Sequence, residues 1–350
     1  MKSLVCFLLL AFAWPSSLGW GQARYGAERD PQSPAEIPYT RYFTRDKFNR
    51  RVTFYLAGDA GQRLPLVVVV LGSGPFSNFR REGDKIVDAH GTVRRAFAGK
   101  AQVMAVEKPG VEFLDQPDHR SAVSFRGSPA FQAENALPRW MEAVSSAVRA
   151  ARTLPQVDLR STLVIGHSEG GLVAALVAQK NSFVTHVASL AGTGPPLQLE
   201  LEHKASEARL YAEAQDTLPV NLLNDAARQM SKLKEDLAAI RRDPDSATKV
   251  AIGHTHIYWA SRLKPSAMQI LSRSKARIFL AHGTADRNVS FPNFTLMLEE
   301  LRKRRRNVTE MVVEGGDHGF RVAATNGNPA RDAWGEVIAR IAAWFAPQDQ

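Results

Sequence analysis

The chain has 350 residues, 44% hydrophobic and 23% charged, with one cysteine and a formal net charge of +10 at pH 7. That composition suits one large packed domain or two small ones; it excludes a disordered chain and, since no apolar run beyond the extreme N-terminus approaches about eighteen residues, a membrane-spanning bundle. Cys6 alone cannot form an intrachain disulfide, so a disulfide-stapled scaffold, a cysteine-ligated metal and thiol catalysis are excluded for the body of the chain, while the positive charge admits an anionic partner and says nothing of fold.

Met1-Lys2-Ser3 is a short basic start, Leu4 to Trp14 is apolar, and Pro15 to Gly19 is polar and turn-prone. That order predicts a secretory signal peptide cleaved after Gly19 or after Ala23, both preceded by small residues, and hence a periplasmic or extracellular protein without stable membrane insertion. The alternative is an anchor that is never removed, against which the shortness of the apolar run counts. Cys6 lies inside the apolar stretch, which excludes a lipoprotein and leaves the mature chain without cysteine.

From Trp20 to about Tyr39 the chain is rich in Pro, Gln, Ser and Arg and reads as a loose lead-in, the N-terminal segment as a whole covering 20–50. Strands are predicted at Arg51 to Ala57, Pro65 to Leu71, Gln102 to Glu107 and Thr162 to Ile165, with helices at Ala136 to Leu154 and Gly170 to Gln179. Phe183 to Leu190, Ala276 to Ala281 and Val308 to Val313 continue the strands, and helices follow the last two at Phe291 to Arg305 and Ala330 to Phe345. Unalternating apolar strands separated by helices predict an α/β fold, a doubly wound and mostly parallel sheet covered on both faces, over 51–350. From about 192 to 265 the strand pattern stops: Leu197 to Arg241 is helical, Asp243-Pro244-Asp245 turns, and a second helical piece runs through Trp259. Such an insertion predicts a helical cap over the sheet's C-terminal edge.

Gly166-His167-Ser168-Glu169-Gly170 sits directly between a predicted strand and a predicted helix. G-x-S-x-G in that setting is a sharp turn whose glycines admit the close backbone approach that holds a serine hydroxyl exposed, and it marks Ser168 as a nucleophile. A serine hydroxyl needs a base, and the base an orienting carboxylate, in the chain order Ser, acid, His. Asp286 and His318 follow two strands in that order, the second within Gly315-Gly316-Asp317-His318-Gly319. Asp317 is a rival acid, disfavoured because adjacent residues cannot easily set a carboxylate against the far nitrogen of the same imidazole. One oxyanion donor is expected at the Glu169 N–H and the other in Leu71-Gly72-Ser73-Gly74-Pro75; Pro75 has no N–H, so Ser73 comes first and Gly74 second. A phosphate loop is the weaker reading, since no Lys-Ser/Thr follows.

At these residues the chain resembles the α/β-hydrolase superfamily, from about Arg51 to Phe345 and most specifically at Gly166 to Gly171. Gly72-Ser73-Gly74-Pro75, Glu107-Lys108-Pro109-Gly110-Val111, His282 to Asp286 and Gly316 to Gly319 are similar too. The combination looks like serine esterases and acyl-peptidase relatives that use G-S-G-P in place of a His-Gly oxyanion motif. A serine nucleophile argues against the dehalogenase and epoxide-hydrolase branches.

Arg302-Lys303-Arg304-Arg305-Arg306 reads as a helix C-terminus rather than a nucleic-acid patch. His254-x-His256 lacks a spaced third metal ligand. His256, Tyr258 and Trp259 are candidates to line an acyl pocket if the cap folds over Ser168. The expected activity is hydrolysis of carboxylic esters of a small-molecule acyl substrate, with no metal or organic cofactor and no nucleic acid. A serine peptidase or acyltransferase is the alternative on the same fold; a non-catalytic secreted binding protein is the third, against which the matched triad counts.

Overall fold

The computed structural model describes residues 26–117, 127–201, 220–325 and 327–346, with backbone alone for 220–230. The expected signal peptide lies outside the described residues, as does the stretch 202–219 of the expected cap.

Nine strands make one sheet: β1 (Glu28–Arg29), β2 (Thr40–Arg45), β3 (Arg51–Ala57), β4 (Leu64–Val70), β5 (Gln102–Val106), β6 (Val157–His167), β7 (His186–Leu190), β8 (Arg277–Gly283) and β9 (Val308–Val313). Their spatial order is β1-β2-β3-β5-β4-β6-β7-β8-β9. The strands from β5 to β9 in that order run parallel, and β1, β2 and β3 join antiparallel at one side.

The helices are α1 (Gly91–Ala96), α2 (Pro129–Glu134), α3 (Leu137–Ala151), α4 (Glu169–Lys180), α5 (Val220–Arg242), α6 (His256–Ala260), α7 (Ala267–Leu271), α8 (Phe291–Lys303) and α9 (Trp334–Phe345). Successive side chains of a strand face opposite ways, and β4 shows why both faces are covered. Leu66, Val68 and Val70 pack with Trp140, Val144, Leu172 and Leu298 of α3, α4 and α8. Val67 and Val69 pack with Val93 and Phe97 at α1 and with Val337, Ile338 and Ile341 of α9. Each such side chain, fully buried, stabilises the fold by roughly 1.5–3 kcal/mol. No described helix is long and apolar enough to cross a membrane.

The connection leaving β4 leads to β5 on one side and the connection leaving β6 leads to β7 on the other, so the strand order reverses between β4 and β6. In open α/β sheets the crevice beyond the strand C-termini at that reversal is where ligands bind. Val70 pairs with Gly166, His167 with Leu190, and Gly283 with Val313, so the strand ends lie level and their loops emerge together.

Two expectations need correction. The lead-in is not loose throughout: β1 lies within it and pairs with β2, which precedes the first expected strand and pairs with β3 from Thr40↔Leu56 to Arg45↔Arg51. The alternation of β2 is that of an antiparallel strand buried on one face, with Tyr42 stacked on Phe54 at 5.5 Å. In the insertion, the second helical piece is short. A hairpin, Val250–Ala251 with His254–Thr255, comes first; its turn residues Ile252 and Gly253 have φ of 48° and 79°, the backbone of a two-residue hairpin turn. Leu237, Ile240 and Ala251, with Trp259 and Leu263 against them, form a small core of their own.

Tyr42→Ala should lower unfolding free energy by about 3 kcal/mol in urea titration, the usual scale for deleting a buried aromatic ring. A change within about 0.5 kcal/mol would mean the segment packs as a surface tether.

Candidate active site

Ser168 lies between β6 and α4 with φ 57° and ψ −126°, a conformation an L-residue keeps only when its surroundings enforce it. The flanking glycines explain how. A Cβ on Gly166 would stand 2.0 Å from the Gly170 carbonyl oxygen, and one on Gly170 would stand 2.4 Å from that of Val70 and 2.5 Å from that of Leu71. The Ser168 N–H donates to Leu190 O at 2.8 Å. The N-terminus of α4 begins at Glu169, so its unpaired N–H groups start beside the hydroxyl.

Asp286 follows β8, and its carboxylate is fully enclosed. Oδ1 accepts from the N–H groups of Asn288 at 2.8 Å and Val289 at 3.0 Å. Oδ2 faces His318 Nδ1 at 2.8 Å, so a proton there is donated to the carboxylate, and His282 Nε2 stands 3.3 Å away. Burial works to raise the Asp286 pKa, but the bonds from His282, His318 and the Val289 N–H outweigh it, and the carboxyl is held well below its usual range. The loop bearing His318 approaches closely because Gly283 has no side chain: a Cβ there would stand 2.2 Å from Gly316 O. The rival Asp317 turns back on its own loop, accepting from Gly319 N and Arg321 N, both at 2.8 Å. His167 Nε2 donates to His318 O at 2.8 Å and its ring packs between those of His318 and Trp334.

Two cavities meet at Ser168, and both are lined by Ser73, Asn288 and His318. One, about 380 Å³, opens between the loop after β4 and the chain near Phe76, Asn78 and Arg80. The other, about 320 Å³, lies under the insertion against Leu172, Leu197, Tyr258, Trp259 and Arg262. A cavity of about 580 Å³ at the antiparallel side of the sheet is larger, and several of its charges pair with one another, Arg41 with Asp30 and Arg50 with Asp46 and Glu134. Among the described residues no cluster of His, Cys, Asp or Glu is grouped to hold a metal ion.

The structure therefore brings Ser168, His318, Asp286, Ser73 and Glu169 to one place, and Tyr258 and Trp259 to the cavity beside them. Gly74 contributes a φ of 96° to the neighbouring loop rather than a cavity wall. His256 is corrected: it faces away, its Nδ1 donating to Asp243 O at 3.0 Å. In a helix, residues two apart point about 200° from each other, so Tyr258 and His256 cannot serve one wall. The Glu169 side chain does line the cavity, yet it is paired with Arg262 and accepts from the Tyr258 hydroxyl at 3.3 Å.

Sequence reasoning missed Arg262, His282, His167 and the contacts of Lys108. Arg262 is buried, lies over the Tyr258 ring at 4.1 Å, and has its pKa driven well down by that burial. In the sequence Lys108 stands out only as part of Glu107-Lys108-Pro109-Gly110-Val111 after an apolar strand, with nothing to show its contacts.

A family model described as serine aminopeptidase, S33, matches residues 128–320. No curated protein matches the chain. Among solved structures it is similar to the acylaminoacyl peptidase of Pyrococcus horikoshii, with TM-score 0.54 and 13% identity over 90% of this chain and 43% of that one. It is also similar to a puromycin-hydrolyzing peptidase of Mycobacterium tuberculosis, with TM-score 0.51 and 16% identity over 88% of this chain and 40% of that one. A third is the α/β hydrolase GrgF from Penicillium sp. sh18, with TM-score 0.50 and 14% identity over 81% and 91%. The chain thus spans less than half of either peptidase and nearly all of the third. At these identities the likeness is one of fold.

Burial pushes the His167 pKa down to about 4, against the opposing pull of its bond to His318 O. An unfolded imidazole titrates near 6.5, so the unfolded chain takes the proton more readily between about pH 6.5 and 4. The stability this group contributes is complete above about pH 6.5 and is lost as pH falls toward 4. Urea unfolding across that range should show a shallower pH dependence for His167→Gln, by up to about one proton or 1.4 kcal/mol per pH unit; identical slopes would contradict the buried neutral ring.

Proposed function

The chain belongs to the serine aminopeptidase S33 family of α/β-hydrolases, and on that premise we propose that it hydrolyses carboxylic esters through an acyl-enzyme on Ser168. One observation carries the proposal. A serine held at φ 57° shares its cavities with His318, whose far ring nitrogen is hydrogen-bonded to the enclosed carboxylate of Asp286.

In the proposed reaction, His318 Nε2 takes the hydroxyl proton as Ser168 Oγ attacks the ester carbonyl. The Ser73 and Glu169 N–H groups receive the negative oxygen. His318 then returns the proton to the leaving alcohol as the C–O bond breaks. A water, deprotonated by the same nitrogen, attacks the acyl-serine, and the proton passes back to Ser168 as the acid departs. Asp286 holds the Nδ1 proton throughout and stabilises the transient imidazolium; it does not accept that proton.

The lining by Leu172, Leu197, Leu201, Pro195 and Val289 supports an apolar acyl group in the cavity under the insertion. A second reading, an aminoacyl amide, is favoured by Glu169 and Glu200 in that wall, whose carboxylates suit an ammonium group. The pairing of Glu169 with Arg262 weakens it.

Comparing p-nitrophenyl butyrate with aminoacyl p-nitroanilides separates these readings. Turnover of the ester at kcat/KM well above that of any anilide is expected; anilide cleavage without ester cleavage would move the assignment to a peptidase. Asp286→Asn should lower kcat on the ester on the order of 10⁴-fold with KM little changed, and unaltered turnover would remove Asp286 from the site.

A further inference from the structure

Lys108 follows β5 directly after Glu107, and its side chain is buried. Its ammonium donates to two carbonyl oxygens of one loop, Gly72 O and Gly74 O, each at 2.5 Å. It also lies 4.8 Å from the centre of the Trp140 ring. Burial pushes its pKa down, and the neighbouring Glu107 carboxylate acts in the opposite sense.

The loop it holds is the one beside the nucleophile. A Cβ on Gly72 would stand 3.1 Å from Ser168 Cβ and 3.6 Å from its Oγ. In a trans peptide the C=O and the following N–H point in opposite directions. An ammonium that captures Gly72 O therefore turns the Ser73 N–H away from itself, and Ser73 lines both cavities that meet at Ser168. The second bond falls on the carbonyl whose peptide partner is Pro75, which has no N–H. That bond anchors the loop without reorienting any donor.

We infer that Lys108 is a positioning residue for the oxyanion site: from behind the loop it fixes the peptide that presents the Ser73 N–H, and it does so without touching substrate. The inference rests on the proposed role of Ser168 and deepens it, because it names the group that keeps one donor aimed before substrate arrives. A preorganised donor counts in the transition state, where the oxygen carries charge, and little in the ground state. Losing the aim should then lower kcat and leave KM nearly unchanged.

The test uses the full chain with p-nitrophenyl butyrate as substrate and an alkyl trifluoromethyl ketone as probe, whose hydrate or serine adduct carries an oxygen at the oxyanion position. Direct removal of an oxyanion donor costs about 10²–10³-fold in kcat, so K108M should lose about 10- to 100-fold, with KM within about threefold of wild type. Inhibitor affinity should fall in step with kcat. K108R, which keeps a charged donor, should recover most of the loss, and K108Q should fall between.

Wild-type kcat in K108M, or a lowered kcat with unchanged inhibitor affinity, would overturn the inference. Should K108M not fold, the ordering of K108R above K108Q in kcat at constant KM carries the test, and equal values for the two would overturn it. D286N measured alongside separates the two levels. If D286N retains turnover, the proposed triad fails; if D286N is inactive and K108M is not impaired, only the role of Lys108 fails.

Discussion

Ser168 keeps its left-handed backbone because β6 and α4 are pressed together, and they can be pressed together only where no side chain intervenes. Gly166 and Gly170 provide that approach, with the carbonyls of Val70 and Leu71 at the end of β4 closing on the same point. The rest of the site is registered to this contact. Pairing of Val70 with Gly166 starts the G-S-G-P loop level with Ser168, and the parallel ladder through β7 and β8 brings Asp286 and His318 to the same edge. A strained residue costs about 1–3 kcal/mol, and the two apolar layers on either face of the sheet are what over-determine it.

Around that contact lies a set of buried charges, each held by specific partners. Asp286 has two backbone N–H donors and two imidazoles, so it remains ionised where burial alone would protonate it. Glu107 accepts from the Ser77 hydroxyl at 2.8 Å and the Asn78 N–H at 3.2 Å, while burial pushes its pKa up. Glu169 has Arg262 and Tyr258. A buried ion left without its partner costs about 3–5 kcal/mol, which ties Arg262 of the insertion to Glu169, next to Ser168. The insertion is thereby joined to the site by charge as well as by the apolar walls of the cavity.

Much of this was legible along the chain. β4, β5, β7 and β8 are buried along nearly their whole length and stand out as short hydrophobic runs, while β9 at the sheet edge keeps Glu310 and Val312 exposed. The elbow is a local pattern whose glycines act within a few residues of the serine, and Asp286 and His318 are marked by following strands in order. Features made by distant parts of the chain were not legible. β2 alternates weakly and carries arginines, and its partner face is supplied by Phe54. The hairpin before α6 depends on two positive-φ residues, one of them isoleucine, which gives no turn signal. Arg262 and Lys108 have partners that lie far away in sequence, so their neighbours along the chain do not reveal the contacts they make. His256 was drawn into the site by adjacency to Tyr258, which helical geometry reverses.

Ser168 is the nucleophile of the proposed reaction, and covalent labelling with a fluorophosphonate followed by peptide mass analysis tests that most directly. Wild type should carry one adduct on the peptide containing Ser168, formed at a rate that ester substrate slows. Ser168→Ala should carry none and hydrolyse no ester above background. Labelling of the alanine variant at the wild-type rate, or an adduct on a different serine, would contradict the assignment.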